Sequence, residues 1–319
     1  MTKPWLQDLG GGVHAIDTAF VRDAFDAAYL VVRGARAAYI DTGTRFALPR
    51  LLGALEELRL PRDAVEWVIP THVHLDHAGA VGALVAELPR ARVLVHPRGA
   101  RHLIDPRALW EGALAIYGAE EMARSYGELT PVAAERVVTS SDDMTLELGG
   151  STLRLIDTPG HARHHHCIWD EDTRGWFTGD TFGISYGEFT TARGRWIFPT
   201  TTPVQFEPQA LRASIERLLG SRPGCIYLTH YGRVDEVERL GALLLDLLAR
   251  IVALGESLRT RTDRMPALRQ GLGTIFLDSL AEHGCTLPAA KVLELLAVDL
   301  ELNAQGMQAW LDREQRPRG

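Results

Sequence analysis

Lysine and cysteine are scarce in this chain, and no long apolar run is present. Of its 34 basic residues only Lys3 and Lys291 are lysines. That bias reads as genomic base composition, not as a set of functional arginines. The formal net charge is −7, which leaves no basic face of the kind nucleic-acid binding needs. Three cysteines, Cys167, Cys225 and Cys285, are too few and too widely spaced for a disulfide framework. No stretch reaches the ~20 apolar residues that cross a bilayer. Met1-Thr2-Lys3-Pro4-Trp5 lacks the apolar core of a secretory leader. The expectation is a cytoplasmic protein that binds neither nucleic acid nor membrane. Its 319 residues, 46% hydrophobic and 24% charged, suffice for one large or two small globular domains with a sizeable core.

Histidine is where the sequence concentrates its chemistry. The segment Thr71-His72-Val73-His74-Leu75-Asp76-His77-Ala78-Gly79 follows directly on the apolar run Val65-Glu66-Trp67-Val68-Ile69-Pro70. Helix packing does not ask for such a cluster, and a solvated loop does not need it. Imidazole nitrogen and carboxylate oxygen are ligands that divalent zinc and iron accept readily. Residues i and i+2 leaving a strand end can aim at one ion. Asp76 and His77, one turn further on, would then address a neighbouring position about 3.5–4 Å away, the usual spacing of two-metal sites.

Further candidate ligands stand at the tips of short β-type runs, beside turn signals. The run 152–157 ends in Thr158-Pro159-Gly160-His161. The run 175–179 ends in Asp180, and 225–229 ends in His230.

With these residues in place the chain resembles the metallo-β-lactamase-fold hydrolases, whose signature is T-H-x-H-x-D-H-x-G. The resemblance runs from about residue 13 to about residue 231. It implies an αββα sandwich with two cations. His72, His74 and His161 would hold one, Asp76, His77 and His230 the other, and Asp180 would bridge both. A bridging Asp fits the glyoxalase II, lactonase and phosphodiesterase branches better than the true β-lactamases. Asp41, in Tyr39-Ile40-Asp41-Thr42-Gly43, matches an early D-T-G element and is expected to orient the first motif through His72 or a backbone amide. Thr71 and His164 are read as supports of the ligands, with packing roles for His164 and His165.

The period-2 and period-3.6 patterns give an α/β chain. Strands are expected at 13–17, 27–33, 36–41, 65–70, 93–96, 136–139, 145–148, 152–157, 167–170, 175–178 and 225–229. Helices are expected at 47–58, 78–88 and 209–219. Residues 1–232 are read as the catalytic domain, with a helical insert at about 97–130 that is either a lid or an external helical pair. Residues 233–319 read as an all-helical extension, for extra packing, a homodimer face or substrate binding. Substrate contacts are expected after Asp180, from Phe182, Tyr186, Arg193 and Trp196, because aromatics with arginine suit an apolar body with one anionic or carbonyl end. Lactonases of the resembled superfamily place a Tyr three positions after the bridging Asp. Here that position is Gly183, and Tyr186 follows three residues later.

The chemistry implied is hydrolysis of a small-molecule ester, thioester, lactone or phosphodiester. A water shared by two divalent ions ionises near neutral pH, since one zinc ion alone brings bound water to about pKa 7. Asp76 and Asp180 are the candidate catalytic carboxylates, with Asp76 steering the hydroxide and relaying its proton. Zinc is the expected metal, with iron or a mixed iron/zinc pair as the alternative. Iron at the same residues would give an oxidoreductase of the persulfide dioxygenase kind.

Overall fold

The computed structural model describes residues 3–201 and 204–315. The chain divides into two compact units. The first runs to Asp157 and takes in His164–Gly179 and Gly224–Arg233. The second takes Thr158–Arg163, Asp180–Pro223 and the chain from Val234 onward. The C-terminal helices therefore share their unit with segments from the middle of the sequence.

Two sheets organise the first unit. One has seven strands in sequence order: β1 (Leu6–Asp8), β2 (Val13–Asp17), β3 (Ala27–Arg33), β4 (Arg36–Ile40), β5 (Val65–Ile69), β6 (Arg92–Val95) and β7 (Val137–Thr139). β1 to β4 pair antiparallel, and β4 to β7 pair parallel. The second sheet holds β8 (Met144–Leu148), β9 (Ser151–Asp157), β10 (His166–Asp170), β11 (Gly175–Phe177), β12 (Cys225–Leu228) and β13 (Gly232–Val234). β11 and β12 run parallel within it.

Side-chain alternation sorts each strand between two cores. Tyr29 and Val31 of β3 join Ala38, Ile40, Leu155, Ile168, Phe177 and Tyr227 in the core between the sheets. Ala28 and Leu30 face the other way, onto Leu51 and Leu55 of the helix Leu48–Glu57 and Val81 and Leu84 of the helix Val81–Glu87. Because both faces of β3 are covered, it reads as a continuous apolar run. Arg33 Nη2 donates to both carboxylate oxygens of Asp170, at 2.7 and 2.6 Å, and so ties β3 to β10 through a buried pair.

This is the α/β chain that the sequence patterns lead one to expect, arranged as the sandwich that the family resemblance implies and carrying C-terminal helices. Most elements fall within a residue or two of their expected bounds. β1 and β13, three residues each, are too short to show a period in the sequence. The helix expected at 78–88 begins only at Val81, after a separate turn Leu75–Ala78. Gly79 marks the break: a Cβ there would lie 2.3 Å from the Leu75 carbonyl oxygen and 3.0 Å from Thr44 Cα. The chain can pass so close only without a side chain.

The second unit is built around aromatics and long helices. Val237–Ser257 buries Leu240, Leu244, Leu247, Leu248 and Ile251 along one stripe. Arg264–Glu282 packs Phe276 against Trp196 and Phe198. The stretch 288–315 holds two helices, Ala289–Leu295 and Ala297–Gln315. Among the described residues no helix is long and apolar enough to cross a membrane.

Candidate metal centre

The site grows from strand ends. β4 and β5 are parallel neighbours whose carboxyl ends lie together, the usual place for a ligand site in α/β sheets. Asp41 leaves β4 in the left-handed region, at φ +55°, which Asp tolerates better than most residues. Its backbone N–H donates to the Ile69 carbonyl at 3.1 Å. That anchors its carboxylate under the Thr71–His77 segment. Oδ1 accepts from the Thr71 backbone N–H at 2.7 Å and Oδ2 from His77 Nδ1 at 2.8 Å. The Thr71 hydroxyl reaches the same carboxylate at 3.0 Å. Thr229, just past β12 of the other sheet, donates its hydroxyl to Oδ2 at 2.8 Å. Asp41 thus holds a backbone amide, as expected, but its imidazole partner is His77, where His72 was the candidate.

The outer hydrogen bonds fix the imidazole tautomers. His77 Nδ1–H is engaged by Asp41, and His230 Nδ1–H donates to the Phe25 carbonyl at 2.9 Å. Each ring is left presenting Nε2. Both Nε2 atoms face Asp76: His230 at 3.4 Å and His77 at 3.9 Å from Oδ2. One ligand atom from each of Asp76, His77 and His230 lies within 4.8 Å of the others. These separations are long for direct hydrogen bonds and suit donors arranged around a cation. A carbonyl or carboxylate on the far nitrogen is the usual support of a metal-bound imidazole.

His72 and His74 form a second pair. The Thr71 hydroxyl lies 3.2 Å from His72 Nδ1, and His72 Nε2 sits 2.8 Å from His74 Nδ1. His165 stacks on His72 at 4.8 Å between centroids, and His164 Nδ1 accepts from the Val73 backbone N–H at 3.4 Å. Gly179 keeps its place because an added Cβ would meet Thr71 Oγ1 at 2.4 Å and His165 Nε2 at 2.7 Å. In the second unit His161 Nε2 and Asp180 Oδ2 are 3.4 Å apart, both residues buried.

Asp26 is a buried carboxylate beside the same cluster, and its setting fits a cation there. It is fully buried, and its Oδ2 accepts from the Thr18 hydroxyl at 2.5 Å. Its Oδ1 has no hydrogen-bond partner among the described residues. Burial pushes its carboxyl up to about 7, with the neighbouring imidazoles of His230 and His77 pulling down and Asp76 pushing up. A divalent ion beside Asp76, His77 and His230 would stabilise the carboxylate. The donor set, all imidazole and carboxylate, fits zinc and iron alike.

His166 answers to a different need. Its Nε2–H donates to the Pro70 carbonyl at 3.0 Å, so Nδ1 accepts from Ser140 Oγ at 2.8 Å. Burial lowers its pKa to about 4, with His96 adding to the shift. Neutral in the fold and protonated below about 6.5 when unfolded, it withdraws stability as pH falls through that window. Metal-free protein is expected to lose about 3 kcal/mol from this group between pH 6.5 and 4. His166→Gln should flatten that part of the curve in urea titrations.

The residues expected to touch substrate after Asp180 are placed differently. Phe182, Tyr186 and Trp196 are fully buried within the second unit. The Tyr186 hydroxyl donates to Asp299 Oδ1 at 3.1 Å, and Trp196 Nε1–H to Ser279 Oγ at 2.9 Å. Arg193 donates through Nη1 to the Glu282 carbonyl. These are the bonds of core and edge packing. Asp26 and the Phe25 carbonyl, by contrast, were invisible in the sequence. An Asp flanking an apolar run reads as a turn residue, and a carbonyl leaves no signal at all.

Fold and side chains together define the class: a two-sheet α/β sandwich with candidate metal ligands at its strand ends. The chain belongs to the metallo-beta-lactamase superfamily, whose family model matches residues 23–230. It is 30% identical over 177 residues to the metallo-beta-lactamase fold-containing protein ST1585 of Sulfurisphaera tokodaii, covering 54% of this chain and 63% of that one. The crystal structure of ST1585 matches with a TM-score of 0.66 at 23% identity, over 93% of this chain and 98% of that one. That likeness speaks for the fold. The chain is also 26% identical over 186 residues to the human acyl-coenzyme A thioesterase MBLAC2, covering 54% of this chain and 64% of that protein. Against the atrochrysone carboxyl ACP thioesterase of Aspergillus fumigatus it is 28% identical over 154 residues, 48% of this chain and 38% of that one. It therefore spans less than two thirds of each of these curated relatives.

Proposed function

We propose that this protein is a metal-dependent hydrolase of acyl thioesters and related esters, with two divalent ions as cofactors and zinc as the first candidate. The arrangement of Asp76, His77 and His230 carries the proposal. Each imidazole has its far nitrogen committed to an oxygen acceptor and its near nitrogen turned to the Asp76 carboxylate. His72, His74 and His161 would hold one ion, Asp76, His77 and His230 the other, with Asp180 shared, following the superfamily pattern. Two relatives named as thioesterases support the thioester among the bonds this superfamily cleaves.

The ions, when bound, supply a water acidic enough to ionise near neutral pH and a Lewis acid for the carbonyl oxygen. The chain's own residues do the rest. Asp41 fixes the His77 tautomer, and the Phe25 carbonyl fixes that of His230. Asp76 is the part-exposed carboxylate of the cluster, so one of its oxygens can accept the proton of the attacking water and return it to the leaving thiolate or alkoxide.

The test is a panel of acetyl and longer acyl-CoA thioesters, an aryl ester, a lactone and bis-nitrophenyl phosphate, run with metal analysis. Thioester turnover that chelation abolishes and zinc restores is expected. Turnover indifferent to chelation, or confined to the phosphodiester, contradicts the proposal.

A further inference from the structure

Beside the Asp76–His77–His230 cluster the first unit carries a run of aromatic rings that neither metal binding nor proton transfer uses. The Phe25 ring meets His230 edge-on at 5.5 Å between centroids, and the Arg22 guanidinium carbon lies 4.7 Å above that ring. Phe20 packs on Phe25 at 5.8 Å and on Tyr126 at 5.4 Å. Tyr126 belongs to the helical insert and packs in turn on Tyr117 at 5.0 Å between centroids. The Phe46 ring reaches Gly127, the next residue, where an added Cβ would meet it at 3.2 Å. An apolar path thus leads from a candidate metal ligand to the insert.

Part of this path faces solvent at a cost. Val21 is 62% exposed and Phe46 53% exposed. Val21 also sits at φ +60°, between Ala19 at +64° and Ala24 at +54°. A β-branched residue in the left-handed region is a strained choice, and strain of this kind collects where a ligand is clamped. The loop is held open by Asp17, whose carboxylate accepts from the backbone N–H of Ala19 at 2.8 Å and of Ala24 at 2.7 Å, and from Arg50 Nη1 at 2.7 Å. Val21 is therefore presented to water by a tethered backbone, and Phe46 is exposed beside the aromatic run that starts at the cluster where the acyl carbonyl would react.

We propose that the exposed Val21 and Phe46, backed by the buried rings of Phe20, Phe25 and Tyr126, form the surface that takes the acyl chain of the substrate, which makes medium- and long-chain acyl thioesters the preferred class. The proposal deepens the hydrolase reading above and rests on it for the position of the carbonyl. An acetyl group is too short to need this surface. A decanoyl chain starting at His230 would lie along the rings.

Each methylene removed from water is worth about fourfold in kcat/KM. The wild-type ratio of kcat/KM for decanoyl-CoA over acetyl-CoA is therefore expected to exceed about tenfold. Val21→Asp and Phe46→Asp should each cut that ratio by about tenfold or more. Val21→Asp keeps the fold, since Asp accepts a left-handed φ more readily than Val. A ratio unchanged in both variants overturns the proposal, even if a loss of self-association accompanies it. Should no thioester of any length be turned over, the hydrolase reading fails, and the surface is tested alone by fluorescence of cis-parinaric acid displaced by decanoate. Binding to the wild type that weakens about tenfold in both variants supports the surface. Absent binding, or equal binding in all three proteins, overturns it.

Discussion

Asp41→Asn is expected to weaken metal binding by about 10- to 100-fold while the protein stays folded. The reason is donor geometry. Oδ1 faces the Thr71 backbone N–H, an obligate donor, so the amide oxygen must take that side. The amide NH₂ then replaces Oδ2 and points at His77 Nδ1. His77 must give up its Nδ1 proton and carry it on Nε2, the nitrogen that faces Asp76. A protonated Nε2 cannot ligate. A single atom exchange with no change of volume therefore disarms a ligand through its tautomer. Asp41→Ala goes further and leaves the Thr71 N–H, the Thr229 hydroxyl and His77 Nδ1–H without their acceptor. At roughly 1 kcal/mol or more for each stranded buried donor, a stability loss of about 3 kcal/mol is expected. Calorimetric zinc titration and urea unfolding separate the two effects. Equal zinc affinity in Asp41→Asn and wild type would contradict the tautomer account.

Asp76→Asn carries the second large effect, a fall of about 10²- to 10⁴-fold in kcat. The amide nitrogen cannot accept the proton of water and would turn a donor toward one of the two Nε2 atoms. Turnover within tenfold of wild type, at matched metal content, would remove Asp76 from its role. Asp76→Ala should lose the ion at His77 and His230 as well as turnover.

These effects trace to residues of unequal legibility. The Thr71–Gly79 segment stands out because its candidate ligands are contiguous and their spacing suits a cation. His161, Asp180 and His230 stand out as further candidates because each ends a short β run at a turn signal. Strand and helix periods gave the α/β class, and the sandwich itself came with the family resemblance that the histidine motif carries. What escaped depends on separations no local pattern encodes. His230 is held by the carbonyl of Phe25, 205 residues away in sequence. Asp41 gathers Thr71, His77 and Thr229 from two different sheets. The aromatic stretch after Asp180 is hard to read for the converse reason. It has no clear period, so nothing in the sequence distinguishes a pocket wall from the core side chains that Phe182, Tyr186 and Trp196 are. The rings of Phe20 and Phe25 lie in a loop whose direction is set by left-handed residues that an L-amino-acid sequence does not advertise.

Under the proposed function, His72, His74, Asp76, His77, His161, Asp180 and His230 serve one pair of ions. Metal content per chain, measured on protein purified without added metal and dialysed against a weak chelator, tests it most directly. Two divalent ions per wild-type chain are expected, with at least one lost in each of His77→Ala, His161→Ala and Asp180→Ala. A native wild type free of transition metal, or an Asp180→Ala protein that retains both ions, would contradict it.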